Sequence, residues 1–399
     1  MRLFHYATDE EIKKGETTDI YFTRTKEILE AKGLEKLQAV AEVTSGRLPR
    51  KWPWGVLCGI EEVARLFEGC QVDVYAMPEG SVFYHNDQYG IREPVMFIEG
   101  PYGEFCVLET PMLGLICQAS GATTRAARIK KVAGEKSVVA FGIRRMHPTL
   151  CPMLDRAAYV GGFDGVSSLK GAEAVGIKPT GTMPHALIIV FEDQVKAWKA
   201  FDEVMPLEVP RIVLVDTYFD EKMETIMAVD ALKDRLDGVR LDTPGSRKGD
   251  FAEIVREVRW ELDIRGYQHV KILVSGGLNE NSVRLLSEAG AEAFGVGTAV
   301  SNAPTINFAM DIVELEGKLS AKRGKLGGKK QVWRCPKCLI DTVLPFTSPQ
   351  PECPRCKSET EPMLKPLVKA GRIAGKLPKP SEIREYVLKQ VEKLSLENQ

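Results

Sequence analysis

The sequence predicts an α/β protein whose central part is a (β/α) barrel. Two observations support this fold class. Strand-like apolar runs alternate with amphipathic helical stretches from about residue 116 to residue 311, and polar side chains follow nearly every run. Strands that alternate with helices form a parallel sheet, and polar residues at successive strand ends would meet at one mouth of a barrel. An open doubly wound sheet is the alternative.

The chain divides into three predicted regions. Residues 1–115 mix helical and strand-like patterns and form an α+β region, and residues 116–311 form the barrel. Residues 312–399 contain a basic, glycine-rich linker, a four-cysteine module and an amphipathic C-terminal helix. Within the barrel region, strands are predicted at residues 137–143, 162–166, 175–182, 211–215, 238–241, 270–274 and 293–296.

The composition is that of an ordinary globular protein. Of 399 residues, 44% are apolar, and 54 Lys and Arg nearly balance 55 Asp and Glu. This balance gives no indication of nucleic acid or a membrane surface as the main partner. The N-terminus lacks the apolar core of a signal peptide, and no apolar run approaches the roughly 20 residues that span a bilayer. We therefore expect a cytoplasmic protein.

Four cysteines near the C-terminus have the spacing of a metal site. Two pairs, each with two intervening residues, are separated by fourteen residues: Cys335 and Cys338, then Cys353 and Cys356. Each pair can present two thiolates, and four sulfurs complete a closed tetrahedral site. We predict a structural Zn²⁺ in a zinc-ribbon-like module, although iron uses the same ligands. The Lys- and Arg-rich segment before these cysteines could bind nucleic acid or be a solvated linker, and the module could instead form an oligomer contact.

Two glycine-containing turns follow the last two predicted strands. Ser275, Gly276 and Gly277 precede an amphipathic helix, and Gly297 and Thr298 follow the next strand. Glycines let backbone N–H groups approach an anion closely, and two such loops at the end of a barrel form its usual phosphate site. The alternative is that these glycines only close tight turns.

Arginines and a carboxylate also lie at strand ends. Arg240 and Asp242 point to one side of a strand, where the carboxylate could hold ribose or Mg²⁺ and the arginine a substrate carboxylate. They could instead simply pair with each other. Arg144 and Arg145 follow another strand, and burying both would need an anion nearby, although one of them could be a surface charge.

His185 stands between a Gly-Thr pair and a long apolar run. Taken alone, it would be a satisfied core histidine. If a strand ends at Thr182, however, residues 185–201 form a helix, and His185 lies at its N-terminus facing the barrel mouth. The positive end of the helix would there favour a phosphoryl group on the imidazole.

Six segments in this order resemble the nicotinate phosphoribosyltransferases, specifically the shorter prokaryotic or archaeal type: "TDIYFTRT", "GGFDGVSS", "GTMPH", "GVRLD", "SGGL" and "GVGT". The resemblance covers residues 18–298. It implies a type II phosphoribosyltransferase with an N-terminal α/β sandwich domain and an irregular or incomplete barrel. It also implies a homo-oligomer whose active sites are shared between subunits. The implied reaction joins nicotinate to phosphoribosyl pyrophosphate, giving nicotinate mononucleotide and pyrophosphate, with coupled ATP hydrolysis and Mg²⁺.

The resemblance also assigns roles to individual residues. It implies that Tyr21 lies against the nicotinate ring, that ATP transiently phosphorylates His185 of the Gly-Thr-x-x-His motif, and that Arg240 binds the substrate carboxylate. Further implied contacts to substrate or phosphate are Thr182, Thr298, Arg144, Asp242, Ser275, Gly276, Gly277 and Gly297. The stretch "RLDTPGSRKGD" is longer than the family's compact "RLDSGD", which leaves the pyrophosphate and Mg²⁺ contacts around Asp250 undefined. The four-cysteine module is not general in the family.

Two alternatives remain at this stage. Quinolinate phosphoribosyltransferase has the same fold, needs no ATP, and must neutralise two substrate carboxylates. It would have more cationic groups and no reason for a Gly-Thr-x-x-His motif. A protein of another class would be a nucleic-acid-binding zinc ribbon on a catalytically idle barrel, although nucleic acid is not the partner we expect.

Overall fold

The computed structural model describes residues 3–397. The helices are α1 (Asp9–Lys13), α2 (Ile20–Lys32), α3 (Ile60–Phe67), α4 (Tyr102–Phe105), α5 (Glu109–Ala133), α6 (Cys151–Val160), α7 (Leu169–Val175), α8 (His185–Phe191), α9 (Gln194–Val204), α10 (Glu221–Leu232), α11 (Phe251–Ile264), α12 (Glu280–Glu288), α13 (Thr298–Ser301) and α14 (Pro380–Glu392). The strands are β1 (Gln38–Ser45), β2 (Gly55–Val56), β3 (Asp73–Ala76), β4 (Val82–Phe83), β5 (Pro94–Pro101), β6 (Ser137–Ala140), β7 (Gly165–Val166), β8 (Ile212–Leu214), β9 (Gly238–Leu241), β10 (Lys271–Ser275), β11 (Ala293–Val296), β12 (Phe308–Leu315), β13 (Lys318–Leu319), β14 (Lys330–Arg334), β15 (Asp341–Pro345), β16 (Glu361–Pro362), β17 (Lys365–Lys369) and β18 (Arg372–Ile373).

The chain forms two compact units. The first combines Met1–Thr124 with Ala303–Gln399, and the second is Arg125–Asn302. This division differs from the three regions expected from the sequence, because the C-terminal part of the chain joins the first unit. The joining contacts are strand pairs: β12 pairs antiparallel with β1, and β17 pairs antiparallel with β3.

The first unit is built on a seven-stranded sheet with the order β13-β12-β1-β5-β3-β17-β18. Strand β1 lies between β12 and β5 and pairs antiparallel with both. Seven of its eight residues are buried, as expected for a central strand. Helix α3 contributes a buried apolar face that includes Ile60, Val63 and Phe67, which belong to the core of this unit.

The basic segment before the cysteines is largely exposed, but three of its lysines pair with carboxylates of the first unit. Lys330 on β14 is buried and its Nζ donates to Glu42 Oε2 at 2.7 Å. Lys322 and Lys325 both pair with the buried carboxylate of Asp311. A buried lysine is stable only when its charge is paired, so Lys330 is tied to Glu42 of the first unit, whereas the side chain of Lys322 is 68% exposed.

The second unit contains a six-stranded parallel sheet with the order β7-β6-β11-β10-β9-β8. Its first strand in sequence, β6, pairs with its last strand, β11. A ring of strands is therefore continuous except between β7 and β8. This order confirms the predicted parallel sheet and is compatible with an incomplete (β/α) barrel.

The prediction of a strand over residues 175–182 is wrong. Helix α7 ends at Val175, Gly176 caps it with φ 72°, and the chain from there to Pro184 has no regular secondary structure. The Thr180 amide still donates to the Val166 carbonyl at 2.8 Å. Proline lacks an N–H, so Pro179 and Pro184 cannot contribute donors to a strand ladder.

A helix does begin at His185, as predicted, with Pro184 as its N-cap. The single helix expected over residues 185–201 is instead two helices, because Glu192 has φ 55° and ends α8. The Asp193 side chain then accepts the Lys196 amide and caps α9. Aspartate at an N-cap starts a new helix because its carboxylate satisfies an otherwise free amide.

One segment of the described chain, Tyr102–Ala133, is long and apolar enough to cross a membrane by length and composition. The expectation that no such segment exists is thus not met. However, 56% of its most apolar window is buried inside the protein. Its large apolar residues Leu108, Met112 and Ile116 are buried in the core of the first unit, as in the core helix of a soluble protein.

Candidate active site

A cavity of about 390 Å³ lies at the carboxyl ends of the strands in the second unit. It is lined by Phe141, Ile143, Arg144, Arg145, Ser167, Gly181, Thr182, Met183, Pro184, His185, Arg240, Asp242, Ser275, Gly276, Gly277, Gly295, Gly297 and Thr298. All the substrate, phosphate and catalytic residues predicted in the barrel region are in this lining. The carboxyl ends of parallel strands are where barrel proteins place their active sites.

Tyr21 is the one predicted substrate residue that does not line this cavity. It lies on α2 in the first unit and its side chain is 56% exposed. Its hydroxyl donates to Asp19 Oδ2 at 3.4 Å. Thr110 also donates to Asp19 Oδ2, at 3.0 Å, and so helps to hold this N-terminal turn in place.

Arg240 is the best connected side chain of the cavity, and only 14% of it is exposed. Its Nη2 donates to Asp242 Oδ2 and its Nε to Ser275 Oγ, both at 3.0 Å. Its Nη1 donates to Thr182 Oγ1 at 2.9 Å and to the Met183 carbonyl at 3.3 Å. Arg240 and Asp242 therefore pair with each other and also face the cavity. Their ion pair does not exclude the contact with a ligand that was considered as the alternative.

The Asp242 carboxylate is fixed at both oxygens. While Oδ2 accepts from Arg240, Oδ1 accepts the Ser275 hydroxyl at 2.7 Å. The Asp242 amide donates to Asp216 Oδ2 at 2.5 Å. The Asp242 side chain is 26% exposed, so it stays accessible to a ligand while Arg240 and Ser275 set the orientation of its carboxylate.

His185 faces two carboxylates. Its Nε2 lies 3.7 Å from Asp216 Oδ1 and 3.9 Å from Asp242 Oδ2. Its Nδ1 lies 3.1 Å from Thr217 Oγ1. A carboxylate can only accept hydrogen bonds, so this arrangement favours the tautomer with the proton on Nε2 and the lone pair on Nδ1.

Asp216 is the buried group behind this cavity. Its side chain is 3% exposed, and burial raises its pKa to about 6, opposed by the Asp242 amide and by His185. Its Oδ2 accepts the Asp242 amide and the Thr243 hydroxyl, whereas its Oδ1 is buried and has no hydrogen bond within the described residues. The unsatisfied oxygen is the one nearest to His185.

Several residues of the site were not predicted from the sequence. Asp216 and Thr217 lie two and three residues after the end of β8, and Asp242 follows β9 directly, so position alone could have identified them. Arg145 Nε donates to Thr298 Oγ1 at 2.6 Å, whereas the prediction chose Arg144. The guanidinium carbon of Arg240 lies 5.3 Å from the centre of the Phe141 ring. No short-range pattern in the sequence indicates this contact.

The turn after β10 needs glycine on steric grounds. Gly276 and Gly277 have φ values of 89° and 75°, which non-glycine residues rarely adopt. A Cβ on Gly276 would also lie 3.2 Å from Asp242 Oδ1. These glycines thus close a tight turn and at the same time leave the cavity wall open to a ligand.

The four cysteines of the C-terminal segment meet in the first unit. Their sulfur atoms all lie within 4.8 Å of one another, and Cys335 Sγ is 3.5 Å from Cys356 Sγ. A tetrahedral Zn²⁺ with bonds of about 2.3 Å would hold its sulfurs about 3.8 Å apart. The donor set and its spacing therefore fit a metal ion such as zinc.

The two cysteine pairs have the same local backbone. The Leu339 amide donates to the Cys335 carbonyl at 2.8 Å, and the Lys357 amide donates to the Cys353 carbonyl at 2.9 Å. Leu339 and Lys357 both have positive φ, 55° and 59°. The strained conformation recurs at equivalent positions, which indicates that both turns serve to direct two sulfurs to one point.

Comparisons with known proteins agree with this architecture. Residues 19–120 match the family model "Quinolinate phosphoribosyl transferase, N-terminal domain", and residues 122–311 match the model of the C-terminal domain. The chain is 54% identical to a solved structure named nicotinate-nucleotide pyrophosphorylase from Pyrococcus furiosus, with a TM-score of 0.95 and 100% of both chains covered. Human nicotinic acid phosphoribosyltransferase has the same fold, with a TM-score of 0.72 at 19% identity over 95% of this chain and 94% of the human one.

Curated relatives carry related names. A nicotinate phosphoribosyltransferase of Mycobacterium tuberculosis is 35% identical over 278 residues, which are 66% of this chain and 57% of the relative. The Bacillus subtilis nicotinate phosphoribosyltransferase is 28% identical over 367 residues, 79% of this chain and 72% of the relative. The chain thus spans little more than half of the length of the mycobacterial protein.

The parallel sheet and these matches define the class of the fold as that of the quinolinate phosphoribosyl transferase domains. The chain belongs to the family of quinolinate and nicotinate phosphoribosyltransferases. The membership of this family predicted from the sequence motifs is confirmed, whereas the shorter prokaryotic or archaeal type stays a prediction.

The cysteine cluster leads to a prediction about bound metal. The purified protein should contain about one metal ion per chain, because four thiolates complete one closed site. The Cys335→Ser, Cys338→Ser double variant should lose that metal and melt at a lower temperature, as measured by elemental analysis and thermal unfolding. Cys70→Ser, which alters a cysteine outside the cluster, is the control and should keep the metal. Equal metal content in both variants would contradict the assignment.

Proposed function

We propose that the protein transfers the phosphoribosyl group of phosphoribosyl pyrophosphate to nicotinate, giving nicotinate mononucleotide and pyrophosphate for NAD biosynthesis. The observation that carries the proposal is the meeting of Arg240, Asp242 and the Gly276-Gly277 turn in one cavity. Nicotinate is an anion, and an arginine that is fixed by hydrogen bonds binds a carboxylate with little loss of side-chain entropy. The names of the relatives support nicotinate as the acceptor.

Asp242 is suited to the transition state of this transfer. Departure of pyrophosphate leaves positive charge at the ribose C1, and a fixed carboxylate stabilises that charge without having to reorganise. Arg240 and Ser275 hold the two Asp242 oxygens in place. Magnesium binds carboxylate oxygens together with substrate phosphates, so Asp242 also fits as its protein ligand. The metal would neutralise phosphate charge.

The phosphate groups need donors, and the opposite wall of the cavity has them. Gly297 and Thr298 follow β11, and Arg145 is fixed to the Thr298 hydroxyl at 2.6 Å. Arg144 also lines this wall. Backbone amides exposed by glycine together with arginine side chains form an anion site. We assign the 5′-phosphate of the ribose to this wall.

His185 would couple ATP to the transfer. With its Nε2 proton held towards Asp216, the Nδ1 lone pair can attack the γ-phosphorus, and the bond to the ADP oxygen breaks. The Thr217 hydroxyl, 3.1 Å from Nδ1, would be displaced in that step. Water later hydrolyses the phosphohistidine, which returns the site to its first state.

The acceptor acid can be tested directly. With phosphoribosyl pyrophosphate and Mg²⁺, nicotinate should be converted to its mononucleotide, and ATP should increase the rate. Arg240→Ala should lower kcat/KM for nicotinate by about 100-fold, because the carboxylate loses its charged partner. Arg256→Ala, on the exposed side of α11, is the matched control. Product formation is followed by chromatography.

The runner-up is quinolinate phosphoribosyltransferase, which the names of the two family models favour. Three arginines line the cavity, Arg144, Arg145 and Arg240. If they bound an acceptor with two carboxylates, quinolinate would be consumed with release of carbon dioxide and without ATP. That result would show that the acceptor is quinolinate and not nicotinate.

The phosphohistidine should depend on pH through Asp216, whose pKa is about 6. Labelling of the protein by γ-labelled ATP should fall as the pH is lowered through this value, because the protonated carboxyl no longer carries the charge that holds the Nε2 proton. Asp216→Asn should lower the labelling rate at least about tenfold and remove this pH dependence. The label should be acid-labile and absent from His185→Ala. A label that survives that substitution would contradict the proposal.

We also propose a homo-oligomer in which Tyr21 completes the cavity of a second subunit. Tyr21 is exposed although it lies in a motif shared with the family, and the cavity needs an aromatic face for the pyridine ring. An interface between copies would cover this residue.

The proposed location of the protein is the cytoplasm. The cysteine cluster is proposed to be a structural zinc ribbon.

Mixed dimers test the shared site. Tyr21→Ala and Asp242→Asn should each be nearly inactive alone. When co-expressed with different affinity tags and purified through both, they should regain about half of the wild-type activity per dimer, because one of the two cavities is then intact. If the mixed dimer shows no gain in activity over the single variants, Tyr21 acts within its own chain or has no part in the reaction.

A further inference from the structure

Helix α10 begins with two glutamates on its buried face. Glu221 and Glu224 lie in its first turn, and both are buried together with mostly apolar residues further along the helix. Glu224 is completely buried and does not line the active-site cavity. A charged carboxylate in such a position must have its charge compensated by hydrogen bonds or by a cation. The partners of Glu224 therefore show what it holds in place.

The Glu224 carboxylate accepts hydrogen bonds from three consecutive backbone amides. Its Oε2 accepts the Thr217 amide at 3.1 Å, and its Oε1 accepts the Tyr218 amide at 2.7 Å and the Phe219 amide at 2.9 Å. Hydrogen bonds to an ionised carboxylate are stronger than those between neutral groups. The segment of residues 217–219, between β8 and α10, is thus folded around this one side chain.

These bonds differ from those of a helix cap. In a capping box, the third residue of the helix accepts the amide of the N-cap residue. The N-cap of α10 is Asp220, and its own side chain accepts the Met223 amide at 2.9 Å. Glu224 is the fourth residue of α10 and bonds amides that precede the cap. Its bonds therefore fix residues 217–219 and not the end of the helix.

Side-chain packing contributes little to the position of this segment. Tyr218 and Phe219 are 48% and 58% exposed. Thr217, in contrast, has its hydroxyl 3.1 Å from Nδ1 of His185. The place of that hydroxyl beside the imidazole thus depends on the backbone bonds to Glu224.

We propose that Glu224 is a positioning residue for the phosphorylation of His185, because it sets the Thr217 hydroxyl beside Nδ1. This proposal rests on the coupling to ATP proposed above. Before the transfer, the hydroxyl donates to the Nδ1 lone pair, which keeps the imidazole proton on Nε2. After the transfer, that lone pair forms the bond to phosphorus, and the hydroxyl donates to a phosphoryl oxygen. This bond to a charged oxygen is stronger than the neutral bond that it replaces, so it favours the phosphorylated state.

The first test measures the fraction of the full chain that carries label at equilibrium with γ-labelled ATP and ADP. Glu224→Gln should lower the equilibrium constant for labelling about tenfold, because the NH₂ group of glutamine cannot accept a hydrogen bond from a backbone amide. Thr217→Val, which removes the hydroxyl, should lower it by a similar factor, and Thr217→Ser should retain it. Adding Glu224→Gln to Thr217→Val should cause little further loss, since both changes remove the same hydrogen bond.

Asp220→Ala is the matched control. It removes the cap of the same helix and should lower the melting temperature, but it leaves the amides of residues 217–219 bonded to Glu224. Its labelling should therefore equal that of wild type, and thermal unfolding checks that every variant folds. If labelling falls as much in Asp220→Ala as in Glu224→Gln, or if the double variant loses a further factor of about ten, Glu224 acts only through stability and the proposal is overturned.

A second measurement does not need ATP. Diethyl pyrocarbonate acylates imidazole nitrogens, and mass spectrometry follows the reaction at His185. Glu224→Gln and Thr217→Val should react severalfold faster than wild type, because the Nδ1 lone pair has lost its donor, whereas Asp220→Ala should not. If this acceleration is seen but ATP does not label the wild type, the placement of Thr217 by Glu224 stands and the proposed coupling to ATP fails. Equal rates in all four proteins would overturn the role of Glu224.

Discussion

The site depends on the hydrogen bonds of one buried guanidinium, that of Arg240. Its donors reach Asp242 and Ser275 on the strand ends and Thr182 and Met183 on the segment between β7 and β8. A planar group with fixed donors restricts all of these partners at once, which a lysine could not do. Because the charge is mostly buried, removing any acceptor leaves a donor unsatisfied and costs more than the bond itself contributes. Arg240 thus joins the strand ends of the cavity to the segment between β7 and β8.

Much of the parallel sheet could be predicted because its signals are local. Strands β9 and β11 have the predicted bounds, since a buried parallel strand is a short apolar run bounded by turn residues. The relation between Arg240 and Asp242 follows from the two-residue period of a strand. The cysteine cluster is equally local, because each pair needs only a short turn to direct two sulfurs to one point.

The remaining features depend on contacts between distant parts of the chain. Nothing near Lys330 in the sequence indicates that it would pair with Glu42, and that buried pair helps to make the basic segment part of the first unit. Asp216 was overlooked for a similar reason. Its position after β8 is visible in the sequence, but its importance comes from burial against Asp242 and from its distance to His185. Pairing and burial are properties of the fold, and a linear pattern cannot specify them.

The irregular backbone of residues 176–184, where a strand was predicted, explains how part of the site is assembled. A strand over residues 175–182 would have used its amides and carbonyls in the sheet and closed the ring between β7 and β8. Because Pro179 has no amide donor for a strand ladder, the chain there is irregular, and the Met183 carbonyl and the Thr182 hydroxyl remain available to Arg240. The same irregular segment ends at Pro184, which caps α8 and sets His185 at its first position, with Nε2 towards Asp216. The irregular segment between β7 and β8 thus supplies partners to Arg240 and also sets the position of His185.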